Sequence, residues 1–288
     1  MRIGIVYPQT ELPVQPDVVR RYARRVEELG YDHIVAYDHV LGADPAVHPG
    51  WKGPYDIDTT FHEPLVLYGF LAAVTSLELV TGIVIGPQRQ TALLAKQAAE
   101  VDVLTAGRFR LGLGVGWNPV EYEALGQDFS TRGQREEEQI DLLRRLWSQR
   151  SVTFEGRFDR VTGAGLAPLP HQQPIPIWLG GQSPAAYRRI GWLADGWFPQ
   201  VVPGPPLEEA ASIVAGAARK AGRDPSAIGM EGRVTQGPGD TEVLVDHVER
   251  WRRAGATHVA VNTMGTGLVD TEAHLDALER AAGALSLQ

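Results

Sequence analysis

The 288-residue sequence contains no cysteine, and this absence removes several kinds of site at once. Disulfide bridges, thiolate metal centres and cysteine nucleophiles are all excluded. Basic residues are also in the minority, 27 against 35 acidic ones, so the formal net charge is −8. No basic cluster stands out against this balance, which argues against nucleic-acid binding.

Long apolar runs are missing as well. No stretch approaches the roughly 18 residues that a membrane helix needs. The N-terminus enters a strand-like segment at residues 2–7 without the basic and apolar regions of a signal peptide. We therefore expect a cytoplasmic protein with no membrane partner. Its apolar content of 43% is ordinary for a chain that buries a sizeable core.

Strand-like and helix-like patterns alternate eight times along the chain. The short apolar runs lie near residues 2–7, 33–37, 78–85, 109–114, 175–180, 196–199, 228–235 and 258–262. Eight such units have the size and rhythm of an α/β (β/α)₈ TIM barrel, although an open doubly wound sheet is the alternative. No linker divides the chain, and we predict a single barrel domain over residues 1–288.

Two long segments interrupt this alternation, near residues 38–62 and 149–174. The first follows the second strand and is rich in Gly, Pro, Asp and His. The second holds a hairpin-like pair at 152–155 and 158–161. Loops of this length inside a compact domain are usually functional. We predict both as insertions on the C-terminal face of the barrel.

Glycine ends three of the apolar runs, in the segments Leu79–Gly86, Phe109–Trp117 and Ile175–Gly181. Glycine lets a planar or anionic ligand approach bare backbone, and the helix that follows offers free N–H groups to a phosphate. Gly112–Gly116 matches the dinucleotide fingerprint poorly, because its spacing is G-x-G-x-G. The pattern instead predicts one mouth that several loops share.

The last of these runs continues into a candidate phosphate site at Gly180–Ser183. Two glycines expose the backbone, and Ser183 precedes a helix whose N-terminus favours an anion. Plain N-capping by Ser183 is the alternative, and both can hold at once. The mouth positions include no trio with metal-ligand spacing, so we expect no metal.

His39, at the end of the second strand, is the candidate catalytic residue. Histidine titrates nearest neutrality and is a natural proton donor or acceptor. Asp38 precedes it directly, and neighbours on an extended strand point to opposite faces. The alternative is a loop histidine bonded to backbone.

Several motifs together resemble the luciferase-like monooxygenase superfamily, and more narrowly its coenzyme F420-dependent (deazaflavin) oxidoreductases. They occur in matching order along essentially the whole chain. The motifs are Tyr37–His39, Thr81–Ile85, Ala95–Leu104 with Gly107 and Arg108, Gly112–Trp117, and Ile177–Gly181 with Leu193–Trp197.

The resemblance implies a flavin-type ring at the C-terminal mouth of the barrel. It implies a cis peptide at Gly82–Ile83 in a bulge behind the ring, hydride transfer close to His39 and a cofactor hydrogen bond from Asp38. The cofactor-binding residues it implies are Asp38, Gly82, Ile83, Ile85, Val115, Gly116 and Asn118, with Gly180, Gly181, Gln182 and Ser183 at the phosphate.

The function so implied is hydride transfer between coenzyme F420 and a small organic substrate. The alternatives are an FMN-dependent monooxygenase that uses reduced flavin and oxygen, and a barrel that binds flavin without turnover. Relatives are commonly homodimers, and the apolar run at Leu65–Leu71 could supply an interface or pack against the barrel.

The composition of the mouth bears on the substrate. Some sugar-phosphate-oxidising relatives use a cluster of lysine and arginine in the later loops, and this sequence departs from that pattern, because Lys220 falls in a helix and Arg233 inside the seventh strand. The resemblance therefore does not favour a sugar phosphate substrate. Aromatic residues near the mouth favour an apolar or aromatic substrate. These residues are Trp51, Tyr55, Trp117, Trp197 and Phe198.

Overall fold

Parallel strands close into a barrel in the computed structural model, which describes residues 1–287. The strands of the chain are β1 Arg2–Val6, β2 His33–Ala36, β3 Glu78–Thr81, β4 Val84–Ile85, β5 Phe109–Gly114, β6 Val152–Glu155, β7 Arg160–Ala164, β8 Ile177–Gly181, β9 Gly196–Pro199, β10 Gly229–Thr235 and β11 His258–Asn262. β1 pairs with β2 and β11, and pairing between β3 and β5 closes the ring. With β3 and β4 as halves of one barrel strand, the predicted (β/α)₈ barrel is confirmed.

Helices cover the outside of the barrel and follow its strands. They are α1 Pro16–Glu28, α2 Pro64–Leu71, α3 Thr91–Leu104, α4 Pro119–Ala124, α5 Arg132–Ser148, α6 Pro184–Leu193, α7 Pro205–Lys220, α8 Glu242–Arg253 and α9 Thr271–Leu285. Within residues 1–287 none of them has both the length and the apolar character to span a membrane. The main apolar core lies between these helices and the barrel.

The third barrel strand breaks between β3 and β4. The peptide bond between Gly82 and Ile83 is cis, the configuration that the resemblance implies. A Cβ at Gly82 would lie 2.3 Å from Cγ1 of Val35, so no larger residue fits there without movement. Oγ1 of Thr81 donates to the carbonyl of Gly112 and accepts its N–H, both at 2.8 Å. These two hydrogen bonds hold the bulge against β5.

The two insertions take different positions. Residues 38–62 leave the C-terminal end of β2 as predicted and form turns without regular structure. Residues 149–174 connect the C-terminus of α5 to the start of β8, and so they enter and leave at the N-terminal end of the barrel. Their antiparallel hairpin, β6 with β7, lies outside the barrel, and Asp159 at its turn accepts a hydrogen bond from Thr91. The second insertion therefore starts at the N-terminal end, and its turn reaches the first residue of α3, on the C-terminal side of the barrel.

Charged side chains fill the lower barrel interior. Glu231 accepts a hydrogen bond from Nη1 of Arg110 at 2.7 Å and lies 2.8 Å from Nε2 of His33. Burial raises the pKa of Glu231, but Arg110 and His33 outweigh it and lower the pKa to about 2. Towards the mouth an apolar layer follows, made of Val6, Val35, Val80 and Ala260.

Candidate active site

A cleft of about 490 Å³ lies at the C-terminal ends of the barrel strands. This is the end at which barrel enzymes place their active sites. The predicted residues that line it are Asp38, His39, Gly82, Ile83, Ile85, Val115, Gly116, Gly180, Gly181, Gln182 and Ser183. Residues from four separate strand ends thus meet around one cleft, as the glycine pattern predicts.

Asn118 is the one predicted site residue that does not line this cleft. It is buried at the N-cap of α4, where its Oδ1 accepts the N–H of Val120 at 3.0 Å. Its amide also donates to the carbonyl of Leu41. The structure therefore places Asn118 where it starts a helix and holds the first insertion, and where it lines a neighbouring cavity of about 300 Å³ together with His39.

Ile83 is the cleft residue that explains two of the glycines. A Cβ at Gly114 would lie 2.5 Å from Cδ1 of Ile83, and a Cβ at Gly180 would lie 3.2 Å from its Cγ2. A side chain at Gly114 would displace the end of Ile83, and one at Gly180 would be tighter than ordinary van der Waals contact. Gly114 and Gly180 therefore accommodate Ile83, which in turn faces the cleft.

Asp38 is almost fully buried beside the bulge. Its Oδ2 accepts the N–H of Ile85 at 3.1 Å, and its Oδ1 accepts Nη2 of Arg89 at 2.9 Å. Burial raises the pKa of Asp38 despite the opposing effect of Arg89. Each carboxylate oxygen accepts more than one hydrogen bond, so these contacts leave capacity for a ligand.

His39 lies beside a buried carboxylate that the sequence does not reveal. Nδ1 of His39 is 3.4 Å from Oε1 of Glu121. The same oxygen accepts the backbone N–H groups of Val40 and Leu41 at 2.7 and 3.1 Å. A carboxylate on one ring nitrogen fixes the tautomer and orientation of an imidazole, which leaves Nε2 on the opposite edge of the ring.

The charge of Glu121 is stabilised where it lies. Burial raises the pKa of Glu121, but His39, the N–H of Leu41 and the amide of Gln88 together lower it below its usual range. Glu121 is therefore ionised at neutral pH. Its position in α4, far along the chain from His39, carries no motif by which sequence reasoning could find it.

Aromatic rings surround the imidazole of His39. Ring centroids lie at 5.0 Å for Tyr55, 4.7 Å for Phe61 and 5.5 Å for Trp117. Tyr55 and Phe61 belong to the first insertion, which therefore covers the histidine. These contacts place Tyr55 and Trp117 in the cleft wall, as predicted.

Two other aromatic residues predicted near the mouth lie elsewhere. Trp197 is buried in the outer core, 6.0 Å from the ring of Tyr187, because alternate residues of β9 face the helices. Phe198 faces the barrel interior, where its ring lies 5.6 Å from that of Trp178. Neither of them lines the cleft.

Gly180–Ser183 forms the opposite end of the cleft. Oγ of Ser183 accepts the N–H of Ala186 at 3.2 Å, so this residue caps α6. A Cβ at Gly181 would lie 2.5 Å from Cβ of Ala186, which explains that glycine by packing. The exposed backbone and the helix N-terminus remain available to an anion.

Arg132 supplies a cation to this cleft, and the sequence reasoning missed it. It is the first residue of α5, and its guanidinium lies 3.7 Å from the ring centroid of Phe129 and donates to the Phe129 carbonyl at 2.6 Å. Within residues 1–287 it forms no ion pair. A usable signal exists, because the first turn of a barrel helix lies on the C-terminal face.

Metal-ligating side chains do not gather in the part of the chain that the structure describes. No group of three His, Asp or Glu residues converges there on a shared centre. The chemistry of the cleft is instead that of one carboxylate–imidazole pair, exposed glycine backbone and aromatic rings. Such a site suits an organic ring cofactor with an anionic group.

A family model described as luciferase-like monooxygenase matches residues 1–285. Among curated relatives, an uncharacterised protein of Mycobacterium tuberculosis is 34% identical over 182 residues, which are 61% of this chain and 62% of that protein. A second uncharacterised protein of the same organism is 26% identical over 96% of this chain and 97% of its own. The FMNH(2)-dependent dimethylsulfone monooxygenase of Pseudomonas fluorescens is 38% identical over 141 residues, 48% of this chain and 38% of that enzyme.

Solved structures show the same fold at low identity. The coenzyme F420-dependent tetrahydromethanopterin reductase from Methanopyrus kandleri has a TM-score of 0.78 at 16% identity, covering 100% of this chain and 99% of its own. An F420-dependent secondary alcohol dehydrogenase has a TM-score of 0.77 at 18% identity, with coverage of 98% and 99%. A monooxygenase from Streptomyces bottropensis has 0.74 at 20%, covering 99% of both chains.

Proposed function

Since the chain belongs to the luciferase-like monooxygenase family, we propose that it transfers a hydride between coenzyme F420 and a small organic substrate. Members of this family are oxidoreductases. The observation that carries the proposal is the cleft itself, with the His39–Glu121 pair at one end and the Gly180–Ser183 backbone at the other. Two F420-dependent enzymes share the fold over nearly the whole chain, which favours this cofactor.

The residues present fit such a cofactor. Ile83 and the backbone of Gly82 would support the ring, and Asp38 has spare acceptor capacity beside it. The phosphate would lie at Gly180–Ser183, where the N-terminus of α6 and the guanidinium of Arg132 both favour negative charge. Val115 and Gly116 line the cleft in between.

The protein's own part in the reaction is orientation and proton handling. Coenzyme F420 supplies a carbon-centred, two-electron hydride carrier when bound. His39 would donate or accept the proton at Nε2, since Glu121 occupies the Nδ1 edge. The rings of Tyr55, Phe61 and Trp117 around the imidazole would limit the access of water.

An FMN-dependent monooxygenase is the second candidate. The dimethylsulfone monooxygenase, named for FMNH(2), is 38% identical over about half of this chain, and this similarity favours the flavin. Both cofactors carry a planar ring and a ribityl phosphate, so the same residues would hold either of them. The two proposals therefore differ in the ring atom that reacts and in the use of oxygen.

A titration with four ligands distinguishes these proposals. The ligands are coenzyme F420, its phosphate-free chromophore, FMN and riboflavin, each followed by fluorescence. We expect F420 to bind most tightly and each phosphate-free form to bind at least ten-fold more weakly than its partner. Tighter binding of FMN than of F420, with oxygen uptake by the reduced flavin, would overturn the proposed cofactor.

Two variants locate the phosphate in the same titration. Gln182→Glu places a carboxylate at the proposed phosphate position without a new Cβ, and Arg132→Met removes the cation. Both should weaken F420 and FMN while leaving the phosphate-free forms nearly unchanged. Arg219→Met, at an exposed position on α7, is the matched control for charge. Equal loss for all four ligands would place the phosphate elsewhere.

We also propose that the protein is a cytoplasmic homodimer that acts on a small apolar or aromatic molecule. The run at Leu65–Leu71 is mostly packing, because Leu65, Leu67 and Leu71 are buried in the chain's own core. Val66 is 70% exposed on the same helix and is the position to test. Sedimentation of the wild type and of Val66→Glu would show whether this face joins two copies.

A further inference from the structure

Arg233 lies at the mouth of the barrel. It lies on the inward face of β10, where alternate residues point into the barrel, and unlike buried Glu231 two positions before it, it is exposed. Its Nη1 donates to the phenolic oxygen of Tyr37 at 2.9 Å. Because β1 and β11 separate β2 from β10, this hydrogen bond spans the mouth. The side chain thus reaches the cleft although its Cα lies inside a strand.

The positive charge of Arg233 is uncompensated. Within residues 1–287 no carboxylate oxygen lies within 4.0 Å of its guanidinium. Glu231, on the same face of the strand, is already bonded to Arg110 and His33. Arg89, another arginine near the cleft, differs in this respect because it is paired with Asp38 and Glu63.

Hydroxyl and amide groups lie around this guanidinium. Tyr37 accepts a hydrogen bond from Arg233, so its own O–H remains free to donate to a ligand. Tyr55 and Gln200 line the same cleft. Guanidinium and phenol donors that face one opening form a recognition site for an oxyanion, and the planar guanidinium fork matches a carboxylate.

Apolar surface lies directly below and beside these donors. A cavity of about 40 Å³ beside the Arg233–Tyr37 pair is lined mainly by apolar groups, among them Val6, Val35, Phe198 and Ala260, and also by the polar residues Gln200 and Glu231. It has room for a group about the size of a methyl. To one side lie the aromatic rings around His39, which would cover a flat apolar body.

We propose that Arg233 and Tyr37 bind the carboxylate of the substrate, so that the substrate class is a small organic acid with an apolar body. This inference rests on the proposed function, since it assigns the remaining part of the same cleft. The proposed cofactor phosphate site lies on β8, with β9 between it and β10, and has its own cation in Arg132. Arg233 is therefore free to recognise a second anion.

Benzoate and benzamide test the proposal, because they have nearly the same shape and differ in charge. Binding of each is measured by calorimetry, with and without saturating cofactor. We expect the wild type to prefer benzoate at least ten-fold and Arg233→Met to lose the preference. Arg233→Lys should keep part of it, and Arg219→Met should keep all of it. A wild type without the preference, or an Arg233→Met that retains it, would overturn the proposal.

The cofactor titration keeps this test separate from the proposed function. If Arg233→Met binds coenzyme F420 and FMN as tightly as the wild type, Arg233 belongs to the substrate side, as proposed. If it weakens either cofactor ten-fold, Arg233 serves the cofactor and the proposal is wrong. Arg233-dependent benzoate binding in a wild type that binds neither cofactor would support the anion site while contradicting the proposed function.

Discussion

Replacing Glu121 by glutamine should separate the charge of this residue from its structural hydrogen bonds. The glutamine carbonyl can still accept the backbone N–H groups of Val40 and Leu41. In the wild type Nε2 of Gln88 donates to Oε2 of Glu121 at 3.3 Å. The new amide N–H takes the place of this acceptor, so the Gln88 amide must turn over and present its Oε1, a buried oxygen without a hydrogen-bond partner among the described residues. The substitution therefore removes a negative charge beside His39 without leaving a backbone donor unsatisfied.

The expected magnitudes follow from this difference. Neutral hydrogen bonds replace charge-assisted ones, so the free energy of unfolding at pH 7 should fall by only about 1 kcal/mol. A proton on His39 loses the ionised carboxylate 3.4 Å from Nδ1, which is worth about 1.5–3 kcal/mol if the two groups close to a charge-assisted hydrogen bond during the reaction. If proton transfer limits the rate, turnover should fall about 10- to 150-fold. Cofactor affinity should not change, because Glu121 does not line the main cleft.

The pH dependence of stability gives a second measure of the same change. The pKa of Glu121 is lowered in the folded protein. Its charge therefore stabilises the fold above its unfolded pKa, and this contribution is lost as the pH falls through the folded value. Glu121→Gln should lack this acid-dependent loss of stability, so the pH dependence of unfolding should differ from that of the wild type only in the acidic range. Urea unfolding at several pH values measures it.

Nitrogen-15 NMR of the histidine rings tests the contact without any substrate. The wild-type signal of His39, assigned by its absence in His39→Asn, should show a proton on Nδ1, and this preference should weaken in Glu121→Gln. Turnover is then compared with the cofactor that the titration selects. The reasoning is refuted if Glu121→Gln keeps both the Nδ1–H form and wild-type turnover.

Three further substitutions test the catalytic, packing and ion-pair roles described above. His39→Ala should retain cofactor affinity in the fluorescence titration and lose turnover, whereas unchanged turnover would exclude it from the mechanism. Gly114→Ala places a Cβ 2.5 Å from Ile83 and should raise the cofactor Kd about ten-fold, while Gly216→Ala, with open space around it, should bind normally. Glu231→Gln should cost about 1.5–3 kcal/mol in urea unfolding at pH 7, because a charge-assisted hydrogen bond becomes neutral while Arg110 keeps its ion pair with Glu78; an unchanged stability would contradict this.

The sequence predicts the barrel well because its signals are local. Apolar runs and helix boundaries depend on neighbouring residues, and the observed strands follow the predicted runs along the whole chain. The glycine-ended runs also meet at one cleft, since the carboxyl ends of parallel strands share a face. The second insertion starts at the N-terminal end, as a helix-to-strand connection must, which the prediction did not consider, and its turn reaches the C-terminal side at Thr91.

The functional residues that sequence reasoning missed reach the site from elements that are distant in sequence. Glu121 reaches His39 from α4, and Arg132 reaches the cleft from the start of α5. Nothing in the sequence marks Glu121, because its partner lies on another element, whereas the place of Arg132 in the first turn of a barrel helix is a signal that the prediction did not use. Trp197 shows the converse error. Its position at a strand end predicts the mouth, but the alternation of β9 turns its ring towards the helices.

Two charged residues of β10 differ in role: the deeper one stabilises the fold, and the one nearer the mouth is available to a ligand. Glu231 and Arg233 share the inward face of β10 and differ by one strand repeat. The lower charge has Arg110 and His33 as partners and is fully buried, so it contributes to the fold. The upper charge has only the hydroxyl of Tyr37 and lies at the cleft. Loss of Glu231 should therefore lower stability with the benzoate preference intact, and loss of Arg233 should do the reverse.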